Sequence, residues 1–499
     1  MKGITESQYN DLCKVCDSIL KKEPVSFTRN ANSLLNVIRE HPIFLNVYKP
    51  IFYKNGFKFY FFILISFLKT IIVGFLKFLD AIYRIYFLRD VIKRDQNVYR
   101  EIFITHFLNE KFIEHKNDFY FYKLPEKIGQ SEASTLNLYI NFTNLSSNSV
   151  KNRWNKKVCS KLLPRYLPIF LELKIRLQLI NEAIKILKIR SKNGFEKRIK
   201  YYASIASLFS STFNNYRLAI MVSNFIRKKN VEFIFTTYEG HAWERLIFGF
   251  ARKINSKVKC IGYQHSIIFR KQHSIRRKLE KTFEPDYILC SGEHGFNQFK
   301  KINYLPDKRL ILFGSNRGGK SVLKNLAVNS KDRNTFLLLP EGDLVESIPL
   351  VDFFISLAIK YQKYKFIIRF HPITKISRVL RKCPKLNQEI PNLEISNSLL
   401  EDDFKRSQFA IYRGSTTIIK AVLYGLIPIY FSRSEEISID PLFEFENKKI
   451  NLSRPEDIEI LEKISHNELI SNQMKLIEHV KQFFSPINYD AVLKLKKTK

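Results

Sequence analysis

Val231-Glu232-Phe233-Ile234-Phe235-Thr236-Thr237-Tyr238-Glu239-Gly240-His241 reads as a buried strand that stops at an acidic turn. Apolar and β-branched residues dominate up to Thr237, and the polar Glu-Gly-His then breaks the run. Ala242 to Lys253 follows with helical spacing. Val258 to Tyr263 is a second strand, ending at Gln264-His265-Ser266, and Tyr287 to Gly292 is a third. Strands that alternate with helices build a parallel sheet covered on both faces. Further strands are expected at Arg309–Phe313, Thr335–Leu339, Phe366–Ile368, Leu393–Ile395, Phe409–Tyr412 and Leu426–Phe431. The fold class is therefore α/β, with two Rossmann-like domains facing across a cleft and a helical, basic N-terminal region. The expected bounds are 1–125 for that region, 126–305 for the first domain and 306–499 for the second. Open sheets of this kind bind ligands at the carboxyl ends of their strands. Eleven of the 16 glycines fall between Gly240 and Gly425, which places the chemistry in the same interval.

Outward from that core, composition narrows the partners. The 499 residues carry a formal net charge of +36, from 83 Lys and Arg against 47 Asp and Glu. Such a surface suits an anionic partner: phosphorylated sugars or an acidic membrane. An AT-biased coding sequence explains part of the excess. Nucleic acid is not expected, since there is no dense arginine block, zinc-finger or RNP-type signature. Six cysteines make no disulfide framework. Cys13-Lys14-Val15-Cys16 has no second pair and no preceding strand, and reads as two thiols on a helix. The N-terminus lacks an apolar signal core, so a cytoplasmic protein is expected. Phe59 to Phe78 is almost wholly apolar but is interrupted by Lys69 and Lys77. A spanning helix needs about 20 apolar residues. The lysine-spaced, aromatic segment from Lys54 to Arg89 instead suits a helix lying on anionic lipid, or a domain helix with snorkelling lysines. The expected location is peripheral, at the inner face of the membrane.

Five turns carry candidate chemistry. Glu239 is placed to act as a general base, or to cap the helix that begins near Ala242, and Glu244 could do either. His265, at the end of its strand, could be acid, base or phosphate donor. In Arg369-Phe370-His371-Pro372, Pro372 removes a donor and fixes the turn, so His371 is held as it leaves its strand. Alternation puts Arg369 on the same face, where both could neutralise a leaving phosphate. Arg413-Gly414-Ser415-Thr416 follows the next apolar run, with Ser415 and Thr416 expected at a helix N-terminus that favours phosphate. Glu341, in Pro340-Glu341-Gly342-Asp343, could contact a sugar or base or cap a turn. His41-Pro42 lies in a polar helical context and carries no expectation. Gly314 to Ser321 satisfies the Walker spacing, but the polar stretch after it and the lack of a downstream strand ending in Asp argue against nucleotide hydrolysis.

Glu239-Gly240, His371-Pro372 and Ser415-Thr416 together resemble the acidic-Gly, His-Pro and Ser-Ser/Thr motifs of GT-B glycosyltransferases of bacterial surface polysaccharides, with one acid here in place of two. Sialyltransferases and Kdo transferases of capsule synthesis are the nearest in motif. The Trp243-Glu244 and Gly262-Tyr263-Gln264-His265-Ser266 segments also resemble surface-carbohydrate biosynthesis proteins. The likeness spans roughly residues 230–435. It implies a GT-B-like enzyme of capsule or O-antigen synthesis that takes a nucleotide sugar, plausibly CMP-activated, as substrate, with inversion, no cofactor and no metal. No D-x-D stands at a strand end. By the resemblance, Glu239 or His265 takes the acceptor proton, and Arg369, His371, Pro372, Arg413, Gly414, Ser415, Thr416 and Glu341 hold the donor. The acceptor would be a glycan or a lipid-linked glycan. Rival expectations are a CDP-glycerol-type polyol-phosphate transferase and a non-catalytic membrane- or polyanion-binding protein.

Overall fold

Two separate parallel sheets carry the molecule. The computed structural model describes residues 3–92, 95, 97–129, 134–226, 230–302, 305–317 and 334–497. The first sheet comprises β1 (Glu101–Phe107), β2 (Thr135–Asn141), β3 (Cys159–Leu162), β4 (Phe233–Thr237), β5 (Lys259–Gln264), β6 (Tyr287–Cys290) and β7 (Leu310–Leu312), in the order β3-β2-β1-β4-β5-β6-β7. The second comprises β8 (Thr335–Leu339), β9 (Lys365–Ile368), β10 (Leu393–Ile395), β11 (Phe409–Tyr412), β12 (Ile427–Phe431) and β13 (Ile450–Leu452), in the order β10-β9-β8-β11-β12-β13. Every strand pair within these sheets is parallel. Both are doubly wound, Rossmann-like sheets, and the two domains form the expected GT-B-like α/β architecture. Strands such as β8, buried at all five positions, read as unbroken apolar runs because helices cover both faces.

The strands foreseen from Val231 onward are present, but the first sheet reaches beyond 126–305 at both ends. β1, inside the region expected to be helical, is one of its interior strands, between β2 and β4. β7, expected to open the second domain, pairs with β6 through Ile288 and Leu310 and closes the first sheet instead. The Walker-like segment from residue 318 onward lies outside the described residues.

Two segments tie the domains together. Helix Glu6–Leu20 buries Cys13 and Cys16 in the first domain's core, where burial pushes the Cys13 thiol up to about 12. At the other end the chain returns. After helix His466–Lys481, Asn488 N donates to Phe313 O at 2.7 Å, Val492 joins the first domain's core, and Lys496 pairs with Glu101 at 2.5 Å. Helix Gly56–Tyr86 is a single 31-residue rod along the outside of the first domain.

Candidate active site

The switch point of the first sheet lies between β1 and β4, and the residues that leave β1, β4 and β5 meet at its carboxyl edge. Gly240 sets the geometry. Its φ is +80°, and an added Cβ would lie 2.3 Å from Ser274 O, so only glycine fits this turn. The turn brings Glu239 and His241 together, with His241 Nε2 donating to Glu239 Oε2 at 3.3 Å. Ser266 Oγ, from the loop after β5, donates to Glu239 Oε1. Burial would raise the Glu239 pKa, but the hydrogen bond and charge of His241, with the hydrogen bond from Ser266, outweigh it and hold the carboxyl well below its ordinary range. His241 is raised correspondingly: burial works against its charge, and the Glu239 bond wins.

Glu244 takes the other expected role. It accepts from the backbone N–H groups of Glu239 and His241 at 3.0 and 2.8 Å and is 1% exposed, so it caps the turn and is not available as a base. Burial, reinforced by the Glu239 charge, lifts its pKa to about 7. His265 packs edge-on against Tyr120 at 4.8 Å, and burial drives its pKa down to about 4. Its Nδ1 is buried and meets no hydrogen-bond partner among the described residues. His106, from β1, was not foreseen. It shares a hydrogen bond with Thr237 Oγ1 at 3.2 Å, and burial likewise takes it to about 4. Two neutral imidazoles therefore stand beside an ionised carboxylate.

A second rim is built the same way from β9, β8 and β11, which lie side by side. They deliver His371, Glu341 and Gly414-Ser415. Gly414 packs so close to Glu341 that an added Cβ would lie 2.1 Å from Oε1. A Cβ on Gly342 would meet Ile373 at 2.5 Å and lie 3.1 Å from His371, whose Nδ1 accepts from Ile373 N at 3.3 Å. Burial lowers the His371 pKa against the pull of Glu341, so the ring is neutral near pH 7. Ser415 is buried; Thr416 is exposed and sits at the start of the short helix Thr417–Leu423. Pro372 is exposed at the turn.

The two arginines expected to meet phosphate are engaged elsewhere. Arg369 pairs with Asp403 at 2.8 Å and donates to Ser398 O. Arg413 is 2% exposed and is held by Glu346 at 2.6 Å and Glu436 at 2.5 Å. Both are structural ion pairs that would have to break before either could take a ligand. The N-terminal segment supplies a cation instead. His41 Nε2 bonds to Glu341 Oε2 at 2.7 Å, and that bond holds Glu341 below its ordinary range despite burial. Two residues earlier, the Arg39 guanidinium lies over Phe269 at 4.2 Å and acts electrostatically on both His241 and Glu341. Among the described residues it forms no ion pair. Nothing local in the sequence around Arg39 announces this role, because its contacts are some 200 to 300 residues away.

The Glu239 rim opens into a cavity of about 680 Å³, lined also by His106, His265 and Trp243. One group could hold a metal ion among the described residues: His294, Glu444 and His479. It joins the two domains, with His294 bonded to Glu444 at 3.0 Å and stacked on Phe483 at 4.0 Å. The His294 bond keeps Glu444 down at about 2.

No protein-family model and no curated protein matches this chain. Solved structures align with most of its length at low identity and low structural similarity. A glycosyltransferase from Rickettsia africae ESF-5 is 12% identical with a TM-score of 0.42, covering 80% of this chain and 97% of that one. The glycotransferase of kitacinnamycin is 7% identical with a TM-score of 0.45, covering 81% and 99%. The UDP-GlcNAc 2-epimerase of Methanocaldococcus jannaschii, in complex with UDP-GlcNAc and UDP, is 11% identical with a TM-score of 0.41, covering 80% and 98%. Likeness at this level does not reach to an activity or a substrate.

Proposed function

We propose that this chain is a glycosyltransferase of surface-polysaccharide synthesis that moves a sugar from a nucleotide-activated donor, plausibly a CMP-sugar, to a hydroxyl of a membrane-associated acceptor. The observation that carries this reading is the Glu239 site: an ionised carboxylate at a sheet switch point, fixed by His241 and Ser266, that opens on a large cavity. A second strand-end rim, with His371 and Ser415, lies across from it through Arg39.

In this reading Glu239 takes the proton of the acceptor hydroxyl as that oxygen attacks the anomeric carbon. The new bond forms on the face opposite the leaving phosphate, so the anomeric configuration inverts. The pairing with His241 keeps the carboxylate ionised, and His265 and His106, neutral at pH 7, do not compete for the charge. Arg39, which forms no ion pair among the described residues, supplies the cation for the departing phosphate, and His371 and Ser415 donate to its oxygens. Glu341 Oε1, buried and without a partner among the described residues, is placed to accept from a ribose hydroxyl or a base N–H.

Helix Gly56–Tyr86 supports a peripheral location at the inner face of the membrane. It is long and apolar enough to cross a bilayer, and only 11% of its most apolar stretch is buried. Yet Phe59 and Ala81, each 1% exposed, anchor it to the protein body about 33 Å apart. A rod held along its length lies in the membrane plane. The test is a donor panel of CMP-, UDP- and CDP-activated compounds. Stereochemical inversion in the product supports sugar transfer; transfer of glycerol phosphate from CDP-glycerol to the acceptor, with release of CMP, would instead identify a polyol-phosphate transferase.

A further inference from the structure

The cavity that begins at Glu239 does not end in the cleft between the domains. It runs along the first domain to helix Gly56–Tyr86, where Lys77, Arg165, Arg176 and Arg217 line it. Part of that charge is answered. Arg217 lies 3.6 Å from Glu172, Arg165 is bonded to Thr143 O and Asn144, and Asp80 is taken by Arg84 and Tyr166. Arg176 feels the field of Glu172 but forms no ion pair among the described residues. Its guanidinium is sandwiched by Phe213 at 4.6 Å and Phe78 at 5.8 Å, and its Nε is buried with no hydrogen-bond partner among the described residues. Gly74 makes room for it: a Cβ there would already be 3.4 Å from the Arg176 Nη1. Lys77, on the exposed side of the same helix, forms no ion pair among the described residues.

Immediately outside lies an apolar surface. Phe170, Leu173, Leu177, Ile180, Ile184 and Leu187 are all more than 40% exposed and repeat at three- and four-residue spacing along helix Ile169–Leu187. Helix Gly56–Tyr86, beside it, exposes Ile72 and Phe75 at 60% each. A patch of this extent on a folded protein marks an interaction surface. Basic residues flank both helices, as an anionic bilayer favours.

We infer that this end of the cavity binds the diphosphate head of a lipid-linked acceptor, whose hydrocarbon chain stays in the bilayer against the two apolar helices while its glycan reaches Glu239. The inference rests on the glycosyltransferase reading and names the acceptor class. Three features select this occupant. Two cations without an ion pair among the described residues, Lys77 and Arg176, line the cavity, the apolar face adjoins them, and the base lies at the other end of the same cavity. An ordinary anionic lipid would satisfy the first two but would have no reason to connect to Glu239.

The test is binding to phosphatidylcholine vesicles that carry a few mole per cent of a long-chain isoprenyl diphosphate, against vesicles matched in charge with phosphatidylglycerol. The wild type should prefer the diphosphate vesicles by roughly tenfold or more, the effect expected of charge-assisted hydrogen bonds to the diphosphate beyond general surface attraction. The double variant Arg176→Gln with Lys77→Gln should lose the preference and keep its binding to phosphatidylglycerol vesicles. Lys77→Gln alone, at an exposed position that cannot disturb folding, should lose part of it. Equal affinity of the wild type for the two vesicle types overturns the inference. So does a preference that survives in the double variant, or complete displacement from the diphosphate vesicles by equimolar inorganic pyrophosphate, which would make this a site for a free anion. The assay needs no donor, and Glu239→Gln should bind like the wild type, so a failed sugar-transfer reading and a failed acceptor site give different results.

Discussion

Glu239 and Arg413 illustrate how differently charged residues at strand ends can be used. Replacing Glu239 by Gln should lower kcat about 10²- to 10⁴-fold, the range for removing a general base, with donor affinity unchanged in a binding titration. Arg413→Ala should instead destabilise the protein by about 3–5 kcal/mol, because Glu346 would lose its ion pair while buried, whereas Glu436 keeps Arg433; denaturant unfolding reads this directly. Arg39→Ala should do the reverse, weakening donor binding about tenfold or more with little change in stability, the loss of one charge-assisted bond. The sequence made Arg413 and Arg369 look like phosphate ligands because each stands next to a rim. It could not show the carboxylates that occupy them, which come from Glu346, Glu436 and Asp403. Glu239, His265 and His371 were legible because their strands are unbroken apolar runs that end abruptly in polar turns.

Protonation gives the same residues a pH signature. His106 and His265 have folded pKa values of about 4, below the ordinary 6.5. The unfolded chain therefore takes up protons first, and stability should fall as pH drops from about 6.5 towards 4. The Glu239 carboxylate, depressed by folding, adds stability above its ordinary value of 4.5 that is lost as pH falls below it. His241, raised by folding, contributes below pH 6.5 and loses that contribution as pH rises through its raised value. Unfolding free energies at pH 7 and pH 5 should show a loss at pH 5 that is smaller in His106→Phe. A wild-type and variant difference of zero would mean that His106 is not buried neutral.

At the scale of elements, the site depends on turns and on one exposed face. Gly240→Ala forces a side chain into the left-handed region and against Ser274 O. It should cost about 1–3 kcal/mol and abolish activity together, since the same turn aims Glu239. Phe75→Asp with Leu177→Asp should leave the melting temperature within error and weaken binding to every vesicle type, as both side chains are more than half exposed. The lysine-spaced aromatic run made this helix readable from the sequence, though not whether it lay on lipid or in a core. β1 was not readable. Glu-Ile-Phe-Ile-Thr-His-Phe begins and nearly ends with polar groups, lacks flanking glycine or proline, and follows a long helical stretch. Its identity as an interior strand comes from burial on both faces between β2 and β4, a tertiary fact.

At the scale of the whole molecule, the two domains are joined by chain segments that local patterns do not reveal. Residues before 50 bridge the rims through Arg39, His41 and Glu341, and residues after 482 cross back to cover Phe313 with Val492 and Tyr489. Truncation after Phe484 should therefore lower stability by several kcal/mol, at about 1.5–3 kcal/mol for each buried aliphatic or aromatic side chain lost, although it removes no part of either sheet. The overall plan of two parallel sheets was legible because its strands alternate with helices. The cavity that opens from Glu239 was not, since it is lined jointly by helix Gly56–Tyr86, the end of β1 and the helices that carry Arg176 and Arg217.

The most direct measurement is nucleotide release and product formation from a panel of CMP-, UDP- and CDP-activated donors, with the protein bound to acceptor-bearing vesicles and the wild type compared with Glu239→Gln. The expected result is release from one donor class with transfer of an inverted sugar, at least a hundredfold slower in Glu239→Gln while the donor binds equally well. Turnover by Glu239→Gln at the wild-type rate, or failure of every nucleotide sugar to bind, would contradict it.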